Sequence, residues 1–422
     1  MSQEGAAVIG VNEVRDRFDF DPFSTAVMNN PHPFYKVLRR EHPVYYSEKY
    51  DAFFVSRFED IVEMLAIGDN ALMTLESSQP IPASLRKRNS SAPPIPPDDP
   101  FPSAQSLGMP TLGEVRRAHI RPMMPRDVKQ LAGFIRDVAD ARLDALLPQR
   151  RFNLTREYGG IVSSSVIMRL MGMPLALAGE ALDIVNSGTR TDPETGGFDG
   201  AAVGRQALEL YLPYVRARME AGADGDVPMV DGMINYRYQG RALNVEEVAQ
   251  QLICAFIGGI ETAPKIVGHG LMELAARPDQ LAAVRADLES NVPLAAEEII
   301  RYCAPAQWFM RTAQKPVTIG GQAIRPGQRV FYLVGSALRD ESEFDEPDAF
   351  RWNRDIRRTL AFGQGVHFCI GTHLARLEIR IMLDAFLRRV QDFSFDMEAA
   401  VRPPSSFQWG WNVLPVVIER GN

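Results

Sequence analysis

The stretch "AFGQGVHFCIG", residues 361 to 371, sets a cysteine among three glycines. The chain has only Cys254, Cys303 and Cys369 in 422 residues, so the setting of Cys369 is unusual in its own terms. A free cysteine is ordinarily a small buried hydrophobe. Here Gly363, Gly365 and Gly371 permit backbone conformations and close approaches that a side chain would block. A thiolate in such a loop can accept backbone N–H bonds and sit near a helix N-terminus, and both stabilise negative charge. No CxxC pair is present to build a structural zinc site. The pattern is that of a single metal-ligating sulfur.

Around this loop the texture is mainly helical. Helical periodicity dominates from Arg116 to about Cys303, and "HPFYKVLRREH" near the N-terminus reads as a further helix. Asn244 and Glu247 have the N-cap and N3 spacing of a capping box. They open an almost wholly apolar run, so that helix belongs in the interior. Strand character is confined to "PVYYSEKYDAFFVSRF", to "KPVTIGGQAIRPGQRVFYLV" with turns at Gly320-Gly321 and Pro326-Gly327, and to the tail "GWNVLPVVIER". Residues 77–113, with "SAPPIPPDDPFPS", carry too many prolines for a regular element and read as a functional loop. The expectation is a mainly α fold with a minor β part, in one domain spanning 1–422, with 1–30 an extended N-terminal segment.

A formal charge of −7 argues against nucleic acid as partner. The N-terminus shows no apolar run long enough for a signal peptide or membrane anchor, and the cysteine count speaks against a disulfide framework. A cytoplasmic protein is expected.

"FGQGVHFCIG" resembles the haem-binding signature FGxGxHxCxG of the cytochrome P-450 family. The resemblance runs from about His32 to the C-terminus, through "EIIR" (ExxR, Glu298 and Arg301, which can pair on one helix face), "ALRDESEFDEPDAFRWNR" and "RRAHIRPMMPRDV". It implies the family's fold, with a long buried helix across a haem b group and the cysteine loop on the proximal side. It implies Cys369 as the axial iron ligand and Phe362 as aromatic cover, with Gly363 and Gly371 shaping the loop and His367 as loop support. It also implies Arg116 and Arg311 as partners of the haem propionates. Histidines common in bacterial members are replaced by Leu112 and Thr359, so Thr359 or the neighbouring Arg358 is expected to share that role.

"GGIETA", 258 to 263, matches the family's (A/G)Gx(D/E)T motif. The expected roles are Glu261 as proton relay and Thr262 as the alcohol at bound oxygen, with Gly258 and Gly259 leaving room. Pro264 removes a helical N–H and is expected to distort the helix beside this motif. The substrate pocket is expected from Cys254, Ile257, Gln307, Trp308, Phe309 and Trp411, mostly apolar and suited to a hydrophobic molecule. Arg86, Lys87 and Arg88 are candidates for meeting a substrate carboxylate.

The implied activity is monooxygenation with dioxygen by a monomer. No flavin or nicotinamide fingerprint follows the haem region, so electrons are expected from a ferredoxin with a separate NAD(P)H-dependent reductase. A basic proximal face is expected to dock it, through Arg351, Arg354, Arg357 and Arg358 together with Arg117, Arg121, Arg126 and Lys129. The alternatives are a peroxide-using or oxidative-coupling haem-thiolate enzyme and a non-catalytic haem ligand-binding protein.

Overall fold

The computed structural model describes residues 18–68, 71–85, 101–187 and 200–419. The cluster Arg86, Lys87, Arg88 and most of the proline run lie outside them. A 31-residue helix, Val245–Ala275, forms the axis of the molecule. Its capping box is present as expected: the Asn244 side chain accepts from the Glu247 N–H, and the Glu247 carboxylate accepts from the Asn244 N–H. That carboxylate is also held by Arg241 and by the Phe101 N–H, and Arg241 chiefly draws its pKa down to about 2.

The central helix is crowded because its small residues admit neighbours. A Cβ on Gly268 would lie 2.7 Å from Thr155, and one on Gly270 would lie 2.3 Å from Ile299. On the partner side, a Cβ on Gly159 would lie 3.1 Å from Pro264. Gly159 belongs to a π-helical turn, Leu154–Gly160, which runs directly into the helix Ile161–Leu170. The central helix runs through Pro264 without interruption, although proline has no N–H to offer the Ile260 carbonyl. One missing bond at the Ile260 carbonyl does not break a helix packed on several sides.

The sheet component is small. Strands Val44–Ser47, Ala52–Val55, Arg329–Tyr332, Phe309–Ala313 and Leu72–Met73 lie side by side in that order. Only Ala52–Val55 and Arg329–Tyr332 pair in parallel. The hairpin Val317–Ile319/Gln322–Ile324 turns at Gly320 and Gly321, both at positive φ, as a two-residue hairpin turn requires. The tail supplies the strand Pro415–Ile418. The N-terminal region departs from an extended segment at Thr25–Asn29, a short helix capped by Ser24. Among the described residues no helix is long and apolar enough to cross a membrane.

The helix Thr372–Arg389, which follows the cysteine loop, buries Glu378 against Ser163 of the helix Ile161–Leu170. The Ser163 hydroxyl donates to it at 2.6 Å, yet burial pushes the carboxyl up to about 8. The folded state therefore holds a proton that the unfolded chain loses above its ordinary value near 4.5. Stability should fall as pH rises between those values, by up to about 1.4 kcal/mol per pH unit. Glu378→Gln should remove that slope. Its stability relative to the parent, from denaturant titrations, should rise between pH 5 and 8; a difference independent of pH would contradict the assignment.

Candidate active site

The cysteine loop is a set of tight backbone contacts. The Gly363 N–H donates to Leu360 O, Phe368 N–H to Gly365 O, and Cys369 N–H to Phe362 O at 2.9 Å. Gly365 sits at φ +74 with its Cα against the Leu65 carbonyl, where a Cβ would approach to 2.9 Å. Gly363 is also left-handed, whereas Gly371 is not and serves as N-cap of Thr372–Arg389. Cys369 is an exposed residue whose thiol is nonetheless largely surrounded by protein. Burial pushes the thiol up, opposed by the Gly371 N–H and by the positive charges of Arg116 and Arg376. Arg376 also stands 4.6 Å from the Phe362 ring centre while pairing with Glu297.

Gly258 is exposed in the middle of an otherwise buried helix, and a Cβ there would meet nothing within 4 Å. Thr262 lies one turn on and donates its hydroxyl to the Gly258 carbonyl at 2.7 Å. Gly259 is different. Its Cβ would strike Ile167 at 2.4 Å, so it serves helix packing and not the open space, being rotated about 100° from Gly258. Glu261 likewise points inward, to Lys265 at 2.6 Å, with both side chains buried. The Lys265 ammonium also bonds Gln408.

Of the expected propionate partners, Arg116 donates to the Phe368 carbonyl at 2.6 Å, within the cysteine loop. Arg311 is buried over the Tyr332 ring and lines a small cavity with His367, Gln364 and Val366. Thr359 is half-buried and accepts from the Ala361 N–H. Arg358 is turned away, paired on the surface with Glu59 and Glu343. Leu112 is a core residue.

The pocket set divides. Cys254 and Ile257 are half-buried on the central helix, and Cys254 accepts from Gln105 at 3.0 Å. Pro102 O accepts from Gln251 one turn earlier, so the end of the proline-rich loop is stitched along this helix face. Phe309 and Trp411 are half-buried. Trp308 is core: its indole sits among Phe23, Phe331 and Phe407 and donates to Ser406 O. Gln307 is buried as well, packed against Gly335. Residues flanking a strand cannot be assigned to wall or core without knowing what lies behind them.

Glu298 and Arg301 pair twice, at 2.7 and 2.8 Å, with no solvent contact at either side chain. Arg301 continues to the Leu338 and Pro347 carbonyls. Sequence reading missed the third member: Arg354 reaches Glu298 at 3.1 Å and is 6% exposed. Its place on the expected docking face is corrected accordingly. The rest of that segment is neutralised, Arg351 by Asp345 and Glu346, Arg357 by Asp355, and Arg358 by its two glutamates. Arg117, Arg121, Arg126 and Lys129 are exposed and carry no ion pair among the described residues.

An accessible cysteine sulfur in a glycine-shaped loop, open space beside Gly258 and two flanking arginines suit a flat, anionic, iron-bearing macrocycle. These features define a haem-thiolate protein. A family model described as cytochrome P450 matches residues 214–416. A Mycobacterium tuberculosis protein named cytochrome P450 126 is 32% identical over 283 residues, 65% of this chain and 67% of that one. The biotin biosynthesis cytochrome P450 of Bacillus subtilis is 27% identical, over 94% of this chain and 98% of that one. Among solved structures, CYP109Q5 from Chondromyces apiculatus superposes with a TM-score of 0.79 at 28% identity, covering 95% of this chain and 98% of that one. The chain belongs to the cytochrome P450 family, whose members are haem-thiolate monooxygenases with b-type haem.

Cys369→Ser should abolish the red-shifted Soret band of the ferrous carbon monoxide adduct. Cys254→Ser and Cys303→Ser should keep it, since Cys254 accepts from Gln105 and Cys303 is buried behind the ExxR helix. Loss of the band in either of those two, with its retention in Cys369→Ser, would reassign the ligand.

Proposed function

We propose that this chain is a cytoplasmic, monomeric monooxygenase that inserts one atom of dioxygen into a small hydrophobic molecule, with electrons from a ferredoxin and a separate reductase. The observation that carries it is the open, hydroxyl-bearing face at Gly258 and Thr262 with a buried acid, Glu261, at the adjacent position. Haem supplies the oxygen-activating iron. Cys369 would hold it, with Phe362, Gly363 and Gly371 shaping the loop, while Arg116, Arg311 and Thr359 would hold the haem carboxylates.

The chain's own task is then to deliver protons to a defined place and to keep bulk water out. Thr262 donates to Gly258 O, which leaves its oxygen lone pairs free to accept a proton. Glu261 is the acid that refills it. Because Glu261 faces Lys265, refilling requires a swing of its carboxyl or a bridging water. Cys254, Ile257, Phe309 and Trp411, with the loop end at Gln105, form an apolar wall that admits a hydrophobic guest.

The donor docks on the early helix. Arg117, Arg121, Arg126 and Lys129 have no ion-pair partner among the described residues in a chain of net charge −7, and Arg116 beside them touches the exposed Phe368 of the cysteine loop. An acidic ferredoxin would be steered there and released as salt shortens the Debye length below about 10 Å.

Thr262→Ala should leave haem and substrate spectra intact and divert electrons from product to peroxide. Glu261→Gln should slow the oxygen-dependent step by about 10²-fold. Unchanged rate and coupling in both would remove the pair from the mechanism. Arg117→Glu and Arg121→Glu should slow reduction by the ferredoxin, with weaker salt dependence and unaltered substrate affinity. Reduction rates indifferent to both changes would place docking elsewhere.

A further inference from the structure

The pair Glu261–Lys265 continues along the helix. His269 Nε2 lies 3.4 Å from the Glu273 carboxylate, which in turn receives Arg277 at 2.5 Å. Glu261, Lys265, His269, Glu273 and Arg277 thus stand at spacing four. Within the helix, which ends at Ala275, the row climbs about 6 Å and winds about 40° per step, about 18 Å from Glu261 to Glu273, with Arg277 just past the helix end. Exposure follows the winding: 5% and 2% at Glu261 and Lys265, 10% and 15% at His269 and Glu273, then 32% at Arg277. The row runs from the Thr262 site to the surface at the end of the helix.

Stability does not explain this row. A buried ion pair is often no better than a well-packed apolar pair, because desolvation consumes the attraction. One step lacks a direct bond, from Lys265 to His269. Beside His269, its own Nδ1 and His32 Nδ1 are buried with no partner among the described residues, and His269 lies near enough to act electrostatically on His32. Buried polar atoms are satisfied by protein or by water, so this is a place built for bridging water. The charged and titratable groups around the two histidines are Lys265 and Glu273 on the helix, with Arg39, Arg339 and Arg402 from the elements packed against it. Cys303 faces Glu273. Burial draws Lys265 below its ordinary pKa, against the pull of Glu261, so its ammonium gives up a proton more readily.

We propose that Lys265, His269 and Glu273 form a proton-supply line from solvent at the C-terminal end of the central helix to Glu261, and through it to Thr262. The proposal rests on the reading of Glu261 as the relay acid. Lys265 passes an ammonium proton to the Glu261 carboxylate, which hands it to the Thr262 hydroxyl. The resulting amine regains a proton through water from His269. A proton from solvent beside Arg277 passes through Glu273, whose carboxyl, against its burial, His269 and Arg277 hold below its ordinary pKa, to His269 Nε2, and the imidazole then turns over to present that proton again. One proton enters for each delivered, and no electrons move.

The test uses the holoenzyme in its diamagnetic ferrous carbon monoxide form. Solvent exchange of the Lys265 ammonium protons is followed by nitrogen-15 NMR, the signal being assigned by its loss in Lys265→Met. Exchange should slow several-fold in His269→Phe and in Glu273→Gln, whereas a merely loosened structure would speed it. In the same variants the oxygen-dependent step should slow and its solvent deuterium isotope effect should grow. Glu273→Gln is isosteric and near the surface, so it carries the test should His269→Phe fail to fold. Native exchange and native rates in these variants, with Glu261→Gln still slow, would overturn the line and leave the relay acid standing. A native rate in Glu261→Gln would overturn both.

Discussion

Glu298 carries a carboxylate with no solvent contact, and a charge so placed is tolerated only where every lone pair is answered. Arg301 answers from the same helix and Arg354 from 56 residues away, with the Arg351 N–H completing the set. Arg301 and Arg354 then spend their remaining donors on the carbonyls of Leu338, Asp345, Pro347 and Ala349. The segment that leads to the cysteine loop has little regular structure of its own. Its course is set by where these guanidiniums reach. The cysteine is positioned by a polar knot on one side and by the start of the helix Thr372–Arg389 on the other.

The opposite wall of the site is governed by a different constraint, the faces of one helix. Successive residues point about 100° apart, so the five positions from Gly258 to Thr262 cannot share one task. Gly258 and Thr262 face the open space, Gly259 admits Ile167, and Glu261 turns into the interior towards Lys265 and Gln408. A motif that reads as a continuous string is, in space, divided between an open face, helix packing and a buried ion pair.

Much of this was legible beforehand. The cysteine loop, the capping box at Asn244 and Glu247, the Gly320–Gly321 hairpin and the Glu298–Arg301 pair all rest on short-range rules, in which spacing alone dictates which groups meet. The Lys265 partner of Glu261 obeys the same spacing of four and could have been read from it. Arg354 could not: its neighbours in sequence are surface arginines, and only the chain's return beneath the ExxR helix separates it from them. Trp308 and Phe309 show the same limit, since the last residue before a strand and the first within it can face opposite ways, and what packs on each side decides which is core.

The amino-acid sequence by itself determined the mainly helical class, the glycine-shaped loop around Cys369 and the place of the GGIETA motif on the central helix, because each depends on residue type at a local spacing. Tertiary structure alone decided which arginines are buried partners and which are free surface charges, and which glycine opens on the site. It also decided that Glu261 has a basic partner, Lys265, behind it. These depend on what packs against a side chain from distant segments, and burial, which sets the cost of every charge, is a property of the folded whole.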